Sequence, residues 1–129
     1  MNLLLDTHVL LWSLADDAKL GAAARAAIVD PDNTVYVSAV SAWEIAIKAA
    51  LGRVDMPRHA GRWLPDALRR TSFVELGVTV KHALGVEELP PHHADPFDRL
   101  LVAQARAEEL TLVTADPLVA RYDVPTLRT

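Results

Sequence analysis

Residues 95–116 read DPFDRLLVAQARAEELTLVTAD. Asp95 before Pro96 is a helix start, since an Asp side chain accepts from first-turn amides and a first-position Pro lacks only an N–H that has no helical partner. The Ala/Leu-rich segment then runs as a helix to Glu109, and Leu110 to Thr114 reads as a strand. An acid marks each end of this unit: Asp98 in the first helical turn and Asp116 just past the strand. Working outward, the pattern recurs. Asp6 ends the apolar run Leu3-Leu4-Leu5, and Glu44 lies just past Val35-Tyr36-Val37. Short apolar runs separated by helix-length segments predict parallel strands with crossover helices. Reactive groups in such sheets gather beyond the carboxyl ends of the strands. Carboxylates scattered over the whole chain are thus expected at one edge. Two of them ~5 Å apart repel by about 3 kcal/mol at an effective dielectric near 20. A divalent cation relieves that repulsion, and hard oxygen ligands favour Mg²⁺ or Mn²⁺.

The remaining elements follow from the same signals. Asn2 to Asp6 is a buried strand, Val9 to Ala15 a short helix, and Leu20 to Asp30 an Ala-rich helix closed by the turn Asp30-Pro31-Asp32-Asn33. Val35 to Ser38 is a strand. Ala39 to Leu51 is a helix whose apolar stripe is Val40, Trp43, Ile47 and Leu51, with Gly52 to stop it. A helix opens at Pro57 and runs to about Arg70. Phe73 to Leu76 is a strand, Val80 to Glu87 a short helix, Pro90 to His93 a loop, and Val124 to Leu127 an edge strand. The expected fold is an α/β/α three-layer sandwich on a mostly parallel sheet of four or five strands. With no repeat or linker, residues 1–129 read as one domain.

Each acid also has a purely structural explanation. Asp6 can cap the helix after the first strand. Ser41-Ala42-Trp43-Glu44 matches a capping box, in which Glu44 bonds back to the amide of Ser41. Asp98 favours a helix dipole, and Asp116 before Pro117 suits a turn. Their shared edge favours the chemical reading. As one of several repelling carboxylates, Glu44 is expected to accept Gln without loss of stability in the metal-free protein. Thr7 and Thr114 stand beside acids. Adjacent His92 and His93 rarely face one ion, so they point to substrate contact or proton transfer more than to a zinc site. The three Trp residues are expected in the core or a subunit interface.

Composition narrows the class. The chain is 51% hydrophobic and 23% charged, with net charge −4, as in an ordinary soluble domain. Without Cys there are no disulfides, thiolate sites or Cys nucleophiles, which fits a reducing compartment. No nucleophile elbow or Gly-rich phosphate loop is present. No apolar run reaches the ~20 residues of a membrane span, and the acid within the N-terminal apolar stretch argues against a signal peptide. Charge is uneven. From Lys48 to Arg70 six basic residues face two acids, and from Glu87 to Asp116 seven acids face two arginines. One end suits a metal and the other phosphate, unless both are only solvated helix faces.

The segments LLLDTHVLLWSL (3–14), VSAVSAWEIAIKAALGR (37–53) and HHADPFDRLLVAQARAEELTLVTAD (92–116) closely resemble PIN-domain ribonucleases, and more narrowly VapC-type toxins of type II toxin–antitoxin pairs. The resemblance covers nearly the whole chain and is weakest from Met56 to Ala94 and in the last ten residues. It implies a PIN fold, with the family's acids falling on Asp6, Glu44, Asp98 and Asp116 as catalytic metal ligands. It also implies Mg²⁺- or Mn²⁺-dependent cleavage of RNA, a homodimer, a small antitoxin partner and a cytoplasmic setting. Two alternatives stay open from the residues alone. One is another metal-dependent nuclease or phosphatase, although His8 stands where a haloacid-dehalogenase-type phosphatase has a second Asp. The other is a silent partner-binding module.

Overall fold

Leu3, Leu4 and Leu5 are all fully buried. Side chains alternate across a strand, so Leu3 and Leu5 join one apolar layer and Leu4 the opposite one. This strand is therefore covered on both faces, as in parallel sheets flanked by helices. The computed structural model describes the whole chain, Met1–Thr129. Its elements are β1 (Asn2–Leu5), α1 (Thr7–Ala15), α2 (Ala22–Val29), β2 (Thr34–Ser38), α3 (Ala39–Ala50), α4 (Ala60–Arg69), β3 (Val74–Leu76), α5 (Val80–Gly85), α6 (Pro96–Glu108), β4 (Thr111–Thr114) and β5 (Thr126–Arg128).

The five strands lie in the order β3-β2-β1-β4-β5 and every neighbouring pair is parallel. The chain steps outward from β1 to β3, then returns to place β4 on the other side of β1. Between β1 and β4 the direction of winding reverses, and a crevice opens beyond the strand ends at such a point. Leu5 pairs with Val37 and with Val113. The next residues along these three strands, Asp6, Ser38 and Thr114, thus come level at the carboxyl edge.

One layer packs Val9, Leu10, Ala24, Ile28, Ile45 and Leu64 against the sheet. The other is built mainly from α6, through Leu101, Val102 and Ala105, with Val40 and Tyr122. The expected α/β/α sandwich is thus the observed fold. Three local expectations need correction. The helix expected from Pro57 begins at Ala60, because His59 adopts a left-handed φ of 61°. The stripe expected on α3 is not its buried face: Trp43 and Leu51 are exposed, while Val40, Ser41, Glu44 and Ile45 are buried. The apolar count misread α3 because two of its buried positions are polar. Gly52, at φ 72°, does follow the helix end. The edge strand near the C-terminus is Thr126–Arg128, two residues later than its expected start at Val124.

Candidate active site

Asp6 caps α1: its Oδ1 accepts the Val9 N–H at 2.9 Å. Its own N–H donates to the Val113 carbonyl at 3.1 Å, tying the cap to β4. The side chain is buried. Burial pushes its carboxyl above the ordinary range, and nearby Glu44 adds to the effect. Hydrogen bonding from Thr114 and Val9 and the charge of His8 only partly offset it. The structural role foreseen for Asp6 is real, yet the acid also faces the crevice edge.

Glu44 corrects the capping-box expectation. Ser38 is the cap of α3, its Oγ accepting the Val40 N–H at 3.0 Å, and Ser41 lies within the helix. Glu44 instead accepts from Thr7 Oγ1 at 2.6 Å and pairs one helical turn onward with Lys48. Thr7 also lies 3.1 Å from Ser41 Oγ. Both charges are largely withdrawn from water, with side-chain exposures of 16% for Lys48 and 4% for Glu44. The pair reverses the stability expected of Gln at this position, since removing one partner of a buried ion pair leaves the other uncompensated.

Asp98 sits in the first turn of α6. The cap there is Asp95, whose Oδ1 accepts from the N–H groups of Phe97 at 2.8 Å and Asp98 at 3.2 Å. The Asp98 side chain is therefore not needed to start the helix. Burial pushes its carboxyl up to about 7, reinforced by the charges of Asp95, Glu44 and Asp6 and opposed by His93. Asp116 follows β4. Its Oδ1 accepts the Leu118 N–H at 2.8 Å, and its N–H donates to Thr114 Oγ1 at 3.0 Å. Burial raises its carboxyl, but hydrogen bonds from His93 and Leu118 outweigh this and hold it below the ordinary range.

His93 joins the acids. Its Nε2 lies 2.8 Å from Asp116 Oδ2 and 3.2 Å from Asp98 Oδ2. Donor atoms of His93, Asp98 and Asp116 all lie within 4.8 Å of one another. Asp6 and Glu44 do not join that trio, but their charges reach Asp98. The acids thus form an inner pair and an outer pair. Reading His92-His93 as an adjacent loop pair hid the role of one ring. Only His93 turns to the acids, while His92 packs edge-on against Tyr122, with ring centroids 5.0 Å apart. The donor set is mostly carboxylate oxygen, and Asp98 carries unrelieved negative surroundings. Both features fit a hard divalent cation.

A cleft of about 760 Å³ is lined by His8, Trp12, Asp55, Arg58 and Trp63 and by none of the four acids; His8 is its link to them, through its charge on Asp6. Trp12 and Trp63 pack partly into the core as expected, whereas Trp43 is exposed and meets Phe97 edge-on at 5.0 Å. No helix is long and apolar enough to cross a membrane.

Residues 3–125 match the family model described as PIN domain. The chain is 34% identical over 116 residues to "Ribonuclease VapC22" of Mycobacterium tuberculosis, covering 89% of this chain and 87% of that protein. It is 40% identical over 58 residues to "Ribonuclease VapC16" of the same organism, an overlap of 45% of this chain and 41% of that one. Among solved structures, the fold is similar to a chain in the crystal structure of VapBC2 from Rickettsia felis bound to a DNA fragment from their promoter. That likeness has a TM-score of 0.73 at 16% identity, over 100% of this chain and 99% of that one.

Proposed function

The chain belongs to the PIN-domain family, and from that premise we propose that it is a metal-dependent endoribonuclease, the toxin of a toxin–antitoxin pair. The observation that carries this reading is the convergence of Asp6, Glu44, Asp98 and Asp116 beyond the ends of β1 and β4. Asp6, Asp98 and Asp116 would hold Mg²⁺ or Mn²⁺, with Glu44 behind them. When bound, the ion supplies positive charge toward a phosphodiester and lowers the pKa of a water. The chain's own residues do the rest. Asp98, whose carboxyl is pushed up to about 7 in the metal-free protein by burial and by its acidic neighbours, is the ligand whose charge a bound cation would relieve most. Thr7 and Lys48 fix Glu44 in one orientation. Exposed Arg58, which lines the cleft, suits an RNA phosphate, which the acids alone repel.

The name of the relative VapC22 supports ribonuclease activity. The VapBC complexes among similar folds support an antitoxin partner. An acidic crevice attracts a basic side chain, so the partner is expected to present Arg or Lys there. A homodimer has support in the exposed Val74, Val78, Val80 and Leu84 around the edge strand β3. Residues 1–129 then act as one nuclease domain in the cytoplasm.

A panel of single-stranded RNA, DNA and a phosphomonoester, each with Mn²⁺ and with chelator, tests the reading. The expected result is RNA cleavage that chelator stops. Preferential DNA cleavage or phosphomonoester hydrolysis would replace the assignment with another phosphotransfer enzyme. Inertness on every substrate favours a silent binding module.

A further inference from the structure

His93 is held at each polar atom that can fix its orientation. Its backbone N–H donates to Tyr122 Oη at 3.0 Å. Its ring Nδ1 accepts the Asp95 N–H at 3.0 Å. Its Nε2 faces Asp116 and Asp98 at 2.8 and 3.2 Å. The loop that delivers it is pinned by Arg99, next in sequence to Asp98. One guanidinium nitrogen donates to the Pro90 carbonyl at 3.0 Å and to Tyr122 Oη at 3.1 Å. The other donates to the carbonyls of Val86 at 3.1 Å and Leu89 at 3.3 Å. Tyr122 Oη therefore receives both the loop and the arginine.

The polarity of these bonds separates two roles for the ring. An imidazole that ligates a metal through Nε2 offers a lone pair there and donates its Nδ1–H to an acceptor behind it. Here the group behind Nδ1 is the N–H of Asp95, a donor. The lone pair sits on Nδ1 and the hydrogen on Nε2, directed at the carboxylates. Distance alone would admit His93, Asp98 and Asp116 as a ligand set; the hydrogen-bond direction does not. Asp95 consequently has two tasks, since its side chain caps α6 and its amide sets the histidine.

We propose that His93 is a positioning residue of the acid centre, whose Nε2–H holds Asp116 and Asp98 together while its ring stays out of the metal's own ligand shell. The inference rests on the metal-binding reading given above. It implies an all-oxygen ligand shell, the kind that suits Mg²⁺ and Mn²⁺ over softer ions that favour imidazole.

The test is Mn²⁺ binding by calorimetry, together with pulsed electron paramagnetic resonance of the Mn²⁺-loaded protein. The parent should show no nitrogen coupling to the ion. His93→Ala should weaken Mn²⁺ binding about tenfold, the scale seen when a group supporting a ligand is removed. Its RNA cleavage should need correspondingly more Mn²⁺, with the rate at saturating metal falling less than the affinity. His93→Gln, which keeps an N–H at similar reach, should recover most of the loss. Nitrogen coupling in the parent makes His93 a ligand and overturns the proposal, and so does His93→Ala binding Mn²⁺ like the parent. If His93→Ala does not fold, the resonance measurement on the parent still decides. If the parent binds no Mn²⁺, the metal reading itself falls, and this inference with it.

Discussion

Asp6 and Glu44 on one side, and Asp98 and Asp116 on the other, carry the same charge at the same sheet edge but stand in different surroundings. The inner pair is built into the scaffold. Asp6 is spent partly on capping α1, and Glu44 is answered by Thr7 and Lys48. The outer pair shares a single side-chain partner, His93. The unrelieved charge therefore falls on Asp98, whose carboxyl is pushed up to about 7. Fixed partners set the position of the inner acids in advance. Of the outer acids, Asp98 keeps the electrostatic deficit that a bound cation would remove, so it would carry most of the driving force for binding one.

The largest expected effect is on cleavage, and it should not distinguish the two sides. Asp6→Asn and Asp98→Asn should each reduce RNA cleavage on the order of 10²-fold or more, the scale of losing one preorganised charge-stabilising group. Asn still caps a helix, so Asp6→Asn should keep its fold by circular dichroism. Near-parental cleavage by either variant at limiting Mg²⁺ would remove that residue from the centre.

Stability should distinguish them, with opposite signs. Glu44→Gln leaves Lys48 buried without its partner and should destabilise the metal-free protein on the order of 3 kcal/mol. Asp98→Asn removes a carboxylate from repelling neighbours and should raise the melting temperature of the metal-free protein. If Glu44→Gln melts at or above the parent temperature, the Lys48 pair contributes nothing and the contrast between the two sides collapses.

The smallest effect is the pH dependence of the metal-free protein. Asp98 and Asp6 have raised carboxyls. Between the ordinary 3.8 and about 7, the folded chain therefore binds more protons than the unfolded one. Stability then falls as pH rises through that window and levels off above it. Asp116 is lowered, so its contribution is present above the ordinary carboxylate range and is lost in strong acid. Tm without metal should be lower at about pH 8 than at about pH 5, on the order of 5 °C. Mn²⁺ should raise Tm more at the higher pH. A metal-free Tm that climbs between these two values would mean that burial does not hold Asp98 and Asp6 protonated in the folded state.

Much of this was legible in the residues. The run Leu3-Leu4-Leu5 specifies a strand covered on both sides, and Asp95-Pro96 specifies the start of α6. Alternating strands and helices force a parallel sheet, and a parallel sheet brings the residues just past each strand to one edge. All these signals are local, because periodicity, caps and turn residues act within a few positions of the chain. What only the tertiary structure decided lies between distant segments. Ser38, not Ser41, caps α3; Thr7 reaches Glu44 across 37 positions of sequence; and His93, not His92, turns to Asp116, 23 positions away. Which polar group meets which depends on how β1, α3 and α6 come together after burial, and no spacing along the chain encodes the direction of a hydrogen bond between segments that meet only in the folded state.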